Sequence, residues 1–156
     1  MNKVLFICLG NICRSATAEE IFRCKAIEAG FKDRFKIDSA GLIDYHKGEL
    51  PDERMRYHAA KRGYILTHRS RPVTQHDFTE FDHILYMDDQ NEQRLNKLAP
   101  SKEAITKIDR ITRYCTQHNV SAVPDPYYGG EEGFEQVINL LEDACTGLLE
   151  HLTKNE

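Results

Sequence analysis

Hydrophobic side chains along this chain form patterns that predict strands and helices in alternation. Four apolar residues in a row, Val4-Leu5-Phe6-Ile7, predict a strand over 3–8 that is buried on both faces. Shorter or more alternating runs predict three further strands, at 35–40, 83–87 and 104–109.

Helices are predicted in the segments between these strands and at the end of the chain. They are expected at 15–29, 51–62, 88–99 and from Gly129-Gly130 onward. The last of them has the clearest stripe at helical spacing, formed by Phe134, Val137, Ile138, Leu141, Ala144, Leu148 and Leu152. Strands that alternate with helices indicate a mostly parallel α/β sheet, in which ligands bind at the carboxyl ends of the strands.

The segment after the first strand carries the most distinctive chemistry. Cys8 ends that strand, a short loop follows, and Arg14-Ser15 opens the first helix. A strand, a loop and a helix N-terminus in this order bind phosphate through backbone N–H groups. A thiol at the base of such a loop lies in positive potential and is expected to ionise readily. The loop is therefore predicted to be a phosphate site with Cys8 as its nucleophile.

The other residues of this loop have roles in the same prediction. Gly10 and Asn11 tolerate the positive φ that a tight cradle requires. Arg14 would hold two phosphoryl oxygens with its planar guanidinium. Ser15 would donate a hydrogen bond to the Cys8 thiolate or cap the helix, and both roles are compatible. The predicted phosphate-binding residues are Leu9, Gly10, Asn11, Ile12, Cys13 and Arg14.

Two motifs at opposite ends of the chain resemble a single family. The Cys-x5-Arg-Ser loop at 8–15, and Val-Pro-Asp-Pro-Tyr-Tyr at 123–128, are similar to the nucleophile and acid loops of the low-molecular-weight protein tyrosine phosphatases. The resemblance covers essentially the whole chain. It implies one domain over residues 1–156, with a three-layer α/β fold: a four-stranded, mostly parallel, doubly wound sheet with helices on both faces.

The resemblance also implies a reaction. The Cys8 thiolate would attack phosphorus to form a thiophosphate, which water then hydrolyses. Asp125 would act as general acid for the phenolate leaving group and as base in the second step. No metal or cofactor is expected. The substrates would be phosphotyrosine-containing proteins or small aryl phosphates, with inorganic phosphate as product and inhibitor.

Further residues match supporting positions of the family. Asp88 matches a residue that orients Arg14, although it could also be a plain helix cap. The residues that match positions bracing the loop are Ser39, Asn11 and His68. The expected walls of a cleft for a flat aromatic ring are Leu9, Tyr45, Tyr127 and Tyr128.

Composition and charge narrow the class of protein. With 40% hydrophobic and 29% charged residues, the chain is typical of globular proteins. A net charge of −4 without a basic run argues against a nucleic-acid partner. The longest apolar run is too short to span a bilayer, and no signal-peptide pattern precedes the first strand. A cytoplasmic location without a membrane partner is therefore expected.

The five cysteines suggest no disulfide framework and no zinc site. Cys13 lies five residues after Cys8 in the same loop. The family resemblance supports a reversible disulfide between the two that shields the nucleophile from over-oxidation, and the alternative for Cys13 is plain packing. The remaining cysteines are expected in helices or in the core.

Several other functions are compatible with parts of the sequence. A phosphoarginine phosphatase is the nearest rival, but such relatives tend to carry Thr where this loop has the apolar Ile12, which favours an aryl ester. An arsenate reductase would need a resolving cysteine pair, and Cys115 and Cys145 are far apart. A catalytically silent phosphate-binding module would leave the reactive residues without a role. The motifs of nucleotide-binding loops are absent.

Overall fold

Four parallel strands form the centre of the computed structural model, which describes residues 1–154 and, at Tyr128, the backbone alone. The strands are β1 (Asn2–Cys8), β2 (Phe35–Gly41), β3 (His83–Tyr86) and β4 (Ile108–Arg110). Their order in the sheet is β2-β1-β3-β4, and every pairing is parallel. The predicted α/β class is confirmed, and the sheet is parallel throughout.

In the part of the chain that the structure describes, six α-helices connect the strands and follow the last one. Their bounds are α1 (Arg14–Glu28), α2 (Glu53–Ala60), α3 (Asp77–Glu80), α4 (Asp89–Leu98), α5 (Lys102–Ile105) and α6 (Gly130–Thr153). Short 3₁₀ helices occur at Lys32–Arg34, Ile111–Tyr114 and Pro126–Tyr128. No helix in the described part of the chain is long and apolar enough to cross a membrane.

The side chains of β1 alternate between two hydrophobic cores, as expected for a strand covered on both faces. Val4 and Phe6 pack in the larger core with residues of α1 and α6. Leu5 and Ile7 pack in the second core, with residues of α3 and α4. The sheet therefore has helices on both faces, as the fold prediction requires.

The predicted fourth strand at 104–109 is wrong in its first half. The side chain of Ser101 caps a short helix by accepting from the N–H of Ala104 at 3.1 Å. Ala104 is buried in the second core as part of that helix, and pairing with β3 begins only at Ile108. A short apolar run does not by itself distinguish a buried helical turn from a strand, and here the serine cap decides.

The loops at the carboxyl edge of the sheet bring distant residues together. The loop of residues 8–15, which is predicted to bind phosphate and is called the phosphate loop below, leaves β1 at Cys8. Cys8 pairs with Gly41 of β2. The segment before Asp125 is tied to the end of β3, because the N–H of Val123 donates to the carbonyl of Met87 at 2.9 Å. Both predicted motifs thus lie at the edge where ligands bind in parallel sheets.

Candidate active site

Cys8 contacts Ser15 at the start of α1. Cys8 Sγ is 3.0 Å from Ser15 Oγ, and the Ser15 N–H donates to it at 3.4 Å. Ser15 Oγ also accepts from Asn11 Nδ2 at 2.7 Å, so the single hydroxyl proton remains for Cys8. This is the contact expected of a hydroxyl that stabilises a thiolate. The N-cap position of α1 belongs to Cys13, so the capping role weighed for Ser15 is wrong.

Asn11 is the hydrogen-bonding hub of the loop. It is fully buried and has a φ of 57°, in the left-handed region expected for it. Its Nδ2 donates to Ser15 Oγ and, at 3.0 Å, to Ser39 Oγ. Its Oδ1 accepts from the N–H of Arg71 at 3.1 Å and from His68 Nε2 at 2.9 Å. Both ends of the amide are engaged, which fixes the turn of the loop.

A second layer of polar residues lies behind Asn11. Ser39 Oγ donates to Glu19 Oε1 at 2.7 Å, and His68 Nδ1 lies 3.2 Å from the same oxygen. Glu19 is buried on α1, and it was missed from the sequence. The sequence did contain a signal for a buried role of Glu19, because this residue directly follows Ala18 on the buried face of a helix.

Glu19, Asp38 and His68 are the group that the described residues offer for a metal, with ligand atoms within 4.8 Å of one another. Hydrogen bonds already account for their arrangement. Glu19 accepts from Ser39, and Asp38 Oδ2 accepts from Arg71 Nε at 3.1 Å. The cluster therefore acts as a brace for the loop.

The backbone of the loop is open to an anion. Within the described part of the chain, the N–H groups of residues 9–13 have no backbone partner. Gly10 lies outside the left-handed region that was expected for it. A Cβ there would be 3.3 Å from His46 Cδ2, which is a tight contact with the ring of that histidine.

Arg14 is only 4% exposed, although it opens a helix. Its Nη1 donates to Asp88 Oδ2 at 2.6 Å and to the carbonyl of Val123 at 3.0 Å. Burial opposes the charged form, but the negative charges of Cys8 and Asp88 outweigh it and raise the pKa of Arg14. Among the described contacts Arg14 uses Nη1 alone, which leaves Nη2 and Nε for a ligand.

Asp88 has both of the roles that were weighed for it. Its Oδ2 accepts from Arg14, and its Oδ1 accepts from the N–H of Asn91 at 2.9 Å, which caps α4. The carboxylate that orients the arginine is therefore held in place by a helix.

Asp125 joins Cys8 and Arg14 in one cavity, although more than a hundred residues separate them in sequence. Asp125 Oδ1 accepts from the N–H of Tyr127 at 3.0 Å and so begins the 3₁₀ helix at Pro126–Tyr128. The cavity has a volume of about 120 Å³. It is lined by Cys8, Leu9, Gly10, Ile12, Cys13, Arg14, Ile43, His46, Asp125 and Tyr127.

The predicted aromatic walls of this cavity are only partly in place. Leu9 and Tyr127 line it. Tyr45 is 81% exposed, and its ring lies 5.2 Å from that of His46, which lines the cavity together with Ile43. The side chain of Tyr128 lies outside the described residues. Ile43 and His46 were missed, and their closeness in sequence to Tyr45 was the available signal.

Cys13 is a second buried thiol in the cavity that Cys8 lines. Burial and the charge of Cys8 raise the pKa of Cys13, so it stays protonated near neutral pH. Both cysteines are free thiols. Among the described contacts, a hydroxyl partner is found for the sulfur of Cys8 and not for that of Cys13.

The fold and this site are those of a small α/β phosphatase with a cysteine in its phosphate loop. Residues 3–156 match the family model described as low molecular weight phosphotyrosine protein phosphatase. A Synechocystis relative, provisionally named a low molecular weight protein-tyrosine-phosphatase, is 46% identical over 152 residues, or 97% of each chain. The chain therefore belongs to the low molecular weight phosphotyrosine protein phosphatase family, which is a family of hydrolases.

Solved structures agree with this assignment. A protein tyrosine phosphatase from Entamoeba histolytica, with Hepes in its active site, superposes with a TM-score of 0.96 at 42% identity. The match covers 99% of this chain and 98% of that chain. A Drosophila arginine phosphatase superposes with a TM-score of 0.90 at 29% identity, covering 99% of both chains.

Proposed function

We propose that this protein hydrolyses phosphotyrosine monoesters, in proteins or as small aryl phosphates, through a thiophosphate on Cys8. The observation that carries the proposal is the single cavity lined by Cys8, Arg14 and Asp125. A nucleophile, a fixed guanidinium and a carboxyl group are the three parts that hydrolysis of a phosphate ester by a thiol requires.

In the first step, the Cys8 thiolate attacks phosphorus and the bond from phosphorus to the phenolic oxygen breaks. Arg14 and the N–H groups of residues 9–13 bind the phosphoryl oxygens and stabilise their charge in the transition state. Asp125 gives its proton to the leaving oxygen, because a phenolate whose acid has a pKa of about 10 is a poor leaving group.

In the second step, water attacks the thiophosphate and the bond from sulfur to phosphorus breaks. The Asp125 carboxylate takes a proton from the attacking water. Ser15 donates a hydrogen bond from its hydroxyl to the departing Cys8 thiolate, which makes the sulfur a better leaving group. Inorganic phosphate is released and competes with substrate for the same loop.

Phosphoarginine, whose phosphorus is bonded to a guanidinium nitrogen rather than to an ester oxygen, is the second candidate substrate, since an arginine phosphatase shares the fold. The apolar Ile12 in the cavity wall supports the aryl ester, because a flat ring packs against aliphatic carbon whereas a guanidinium seeks polar partners. Reduction of arsenate lacks support, since neither Cys115 nor Cys145 is among the described residues lining the cavity.

Two broader proposals accompany this function. Residues 1–156 form one domain, which is supported by the continuous sheet and by the family match over residues 3–156. The enzyme works in the reducing cytoplasm, which is supported by the free thiols of Cys8 and Cys13, because the reaction needs a reduced nucleophile.

The test is a side-by-side assay of the purified protein with phosphotyrosine, phosphoarginine and arsenate, each with and without EDTA. We expect kcat/KM for phosphotyrosine to exceed that for phosphoarginine by roughly 10-fold or more, because only the aryl ester fits an apolar wall. We expect no arsenate reduction and no effect of EDTA. Faster turnover of phosphoarginine would overturn the substrate assignment, and loss of activity in EDTA would contradict the metal-independent mechanism.

A further inference from the structure

Arg54, in the first turn of α2, lies between the catalytic cavity and a neighbouring cavity of about 390 Å³. Its guanidinium carbon is 5.2 Å from the ring centroid of Tyr127 and 5.0 Å from that of Phe134. Tyr127 lines the catalytic cavity, and Phe134 lines the neighbouring one. At such distances a cation is attracted to the face of an aromatic ring. Arg54 therefore contacts the ring of Tyr127, and Tyr127 lies two positions after Asp125 in the sequence.

Asp52 fixes Arg54 in this position. Arg54 Nε donates to Asp52 Oδ1 at 3.2 Å and Nη2 donates to Oδ2 at 3.1 Å, so two donors of the guanidinium fork are engaged. Asp52 is the N-cap of α2, and its own N–H donates to the carbonyl of Ile12 at 2.8 Å. A path of contacts thus runs from the phosphate loop through Asp52 and Arg54 to Tyr127.

We propose that Arg54 is a positioning residue for the general acid Asp125, an inference that rests on the proposed function. The Asp125 carboxylate accepts from the N–H of Tyr127 at 3.0 Å, so a three-residue turn places it. Tyr127 is 56% exposed, so its ring lies at the surface, within reach of the Arg54 side chain. Through the contact of its guanidinium with the Tyr127 ring, Arg54 keeps this turn, and with it the carboxylate, against the wall of the catalytic cavity.

Arginine is the residue type that this position requires. The guanidinium is planar, so its edge can bind the Asp52 carboxylate while its central carbon lies over the rings of Tyr127 and Phe134. A lysine ammonium has no such planar group. Arg54→Lys is therefore expected to keep the charge and still fail to position the acid loop.

The test compares Arg54→Ala, Arg54→Lys and Asp125→Ala on aryl phosphates whose phenols differ in acidity. We expect both Arg54 variants to lower kcat/KM for phenyl phosphate by about 3- to 10-fold, and to affect 4-nitrophenyl phosphate much less. The reason is that only the more basic phenolate needs the proton from Asp125. In the Asp125→Ala background, Arg54→Ala should add no further loss.

Arg56→Ala is the matched control, because Arg56 lies on the same helix and its Nε donates to the carbonyl of Pro51 at 2.9 Å. It should leave the leaving-group dependence unchanged. Inhibition by inorganic phosphate should be unaltered in the Arg54 variants, which also shows that they fold.

Equal losses on both esters, or an added loss in the Asp125→Ala background, would overturn the role of Arg54 and leave that of Asp125 standing. If Asp125→Ala itself shows no leaving-group dependence, the proposed acid is wrong and the role of Arg54 is wrong with it.

Discussion

Ser15 is the residue that connects the shape of the phosphate loop to the second step of the proposed mechanism. Its hydroxyl accepts from Asn11, and its proton is thereby directed to Cys8. Asn11 in turn is fixed by four hydrogen bonds around a left-handed turn. The loop is therefore preorganised before substrate binds, which is the condition for electrostatic stabilisation of a transition state.

Ser15→Ala is expected to slow hydrolysis of the thiophosphate more than its formation. A hydrogen bond to a charged group contributes about 1.5–3 kcal/mol, so the second step should slow by about 10- to 100-fold. Rapid-mixing kinetics with an aryl phosphate should then show a burst of phenol followed by a slower steady state.

Thr17→Val is the control for this prediction, because Thr17 Oγ1 donates to the carbonyl of Cys13 at 2.7 Å. It should alter stability without changing the ratio of the two steps. A Ser15→Ala protein with an unchanged steady state would contradict the role given to the hydroxyl.

At the residue scale, local spacing made part of the site predictable. Cys8 and Arg14 share one short loop, so their spacing alone indicates anion chemistry. Glu19 and His46 could not be assigned in this way, because their roles depend on partners brought in by the fold. Ser39 and His68 were found only through the family resemblance.

At the element scale, the carboxylate of Asp143 on α6 anchors the segment between β4 and the acid loop. It accepts from the N–H groups of Thr116, Gln117 and His118, each at 2.9 Å, and from His118 Nδ1 at 2.8 Å. Burial alone would raise the pKa of Asp143, but these hydrogen bonds outweigh it and lower the pKa to about 2. The Asp143 side chain is 5% exposed, so solvent screens these contacts little.

Asp143→Asn is expected to lower the free energy of unfolding by about 2 kcal/mol at pH 7. This is the free energy that corresponds to lowering the pKa of Asp143 from its unfolded to its folded value. Because the folded pKa is below the unfolded one, this stability is present above the unfolded value of 3.8 and is lost as pH falls towards 2. Urea unfolding at pH 7 and at pH 3 measures the difference.

The exposed Asp33→Asn is the control, since it should change stability little at either pH. If the difference in free energy of unfolding between the protein and its Asp143→Asn variant stays constant from pH 7 to pH 3, the lowered pKa of Asp143 is contradicted.

The predicted strand at 104–109 shows where pattern reasoning on single elements fails. Long stripes such as that of α6 are unambiguous, because many positions repeat at one period. A run of six residues contains too few apolar positions to show one period. Here the cap that Ser101 forms makes the first residues helical, and the pairing of Ile108 with Ile84 makes the last ones a strand.

At the scale of the whole molecule, the fold supplies what neither motif has alone. The hydrophobic pattern predicts a parallel sheet, and a parallel sheet places the loops after its strands at one edge. The spacing of residues could not predict that Asp125 and Cys8 line the same cavity. The acid loop, residues 123–128, reaches that edge of the sheet because the N–H of Val123 donates a hydrogen bond to the carbonyl of Met87, just after β3.

The most direct test of the account is the turnover of an aryl phosphate by Cys8→Ser, measured together with binding of inorganic phosphate. The loop N–H groups and Arg14 remain in this variant, so phosphate should still bind with an affinity close to that of the unsubstituted protein. Hydrolysis should fall by about 10⁴-fold or more, because the hydroxyl is a far weaker nucleophile than the thiolate. Turnover near that of the unsubstituted protein would contradict the thiophosphate mechanism.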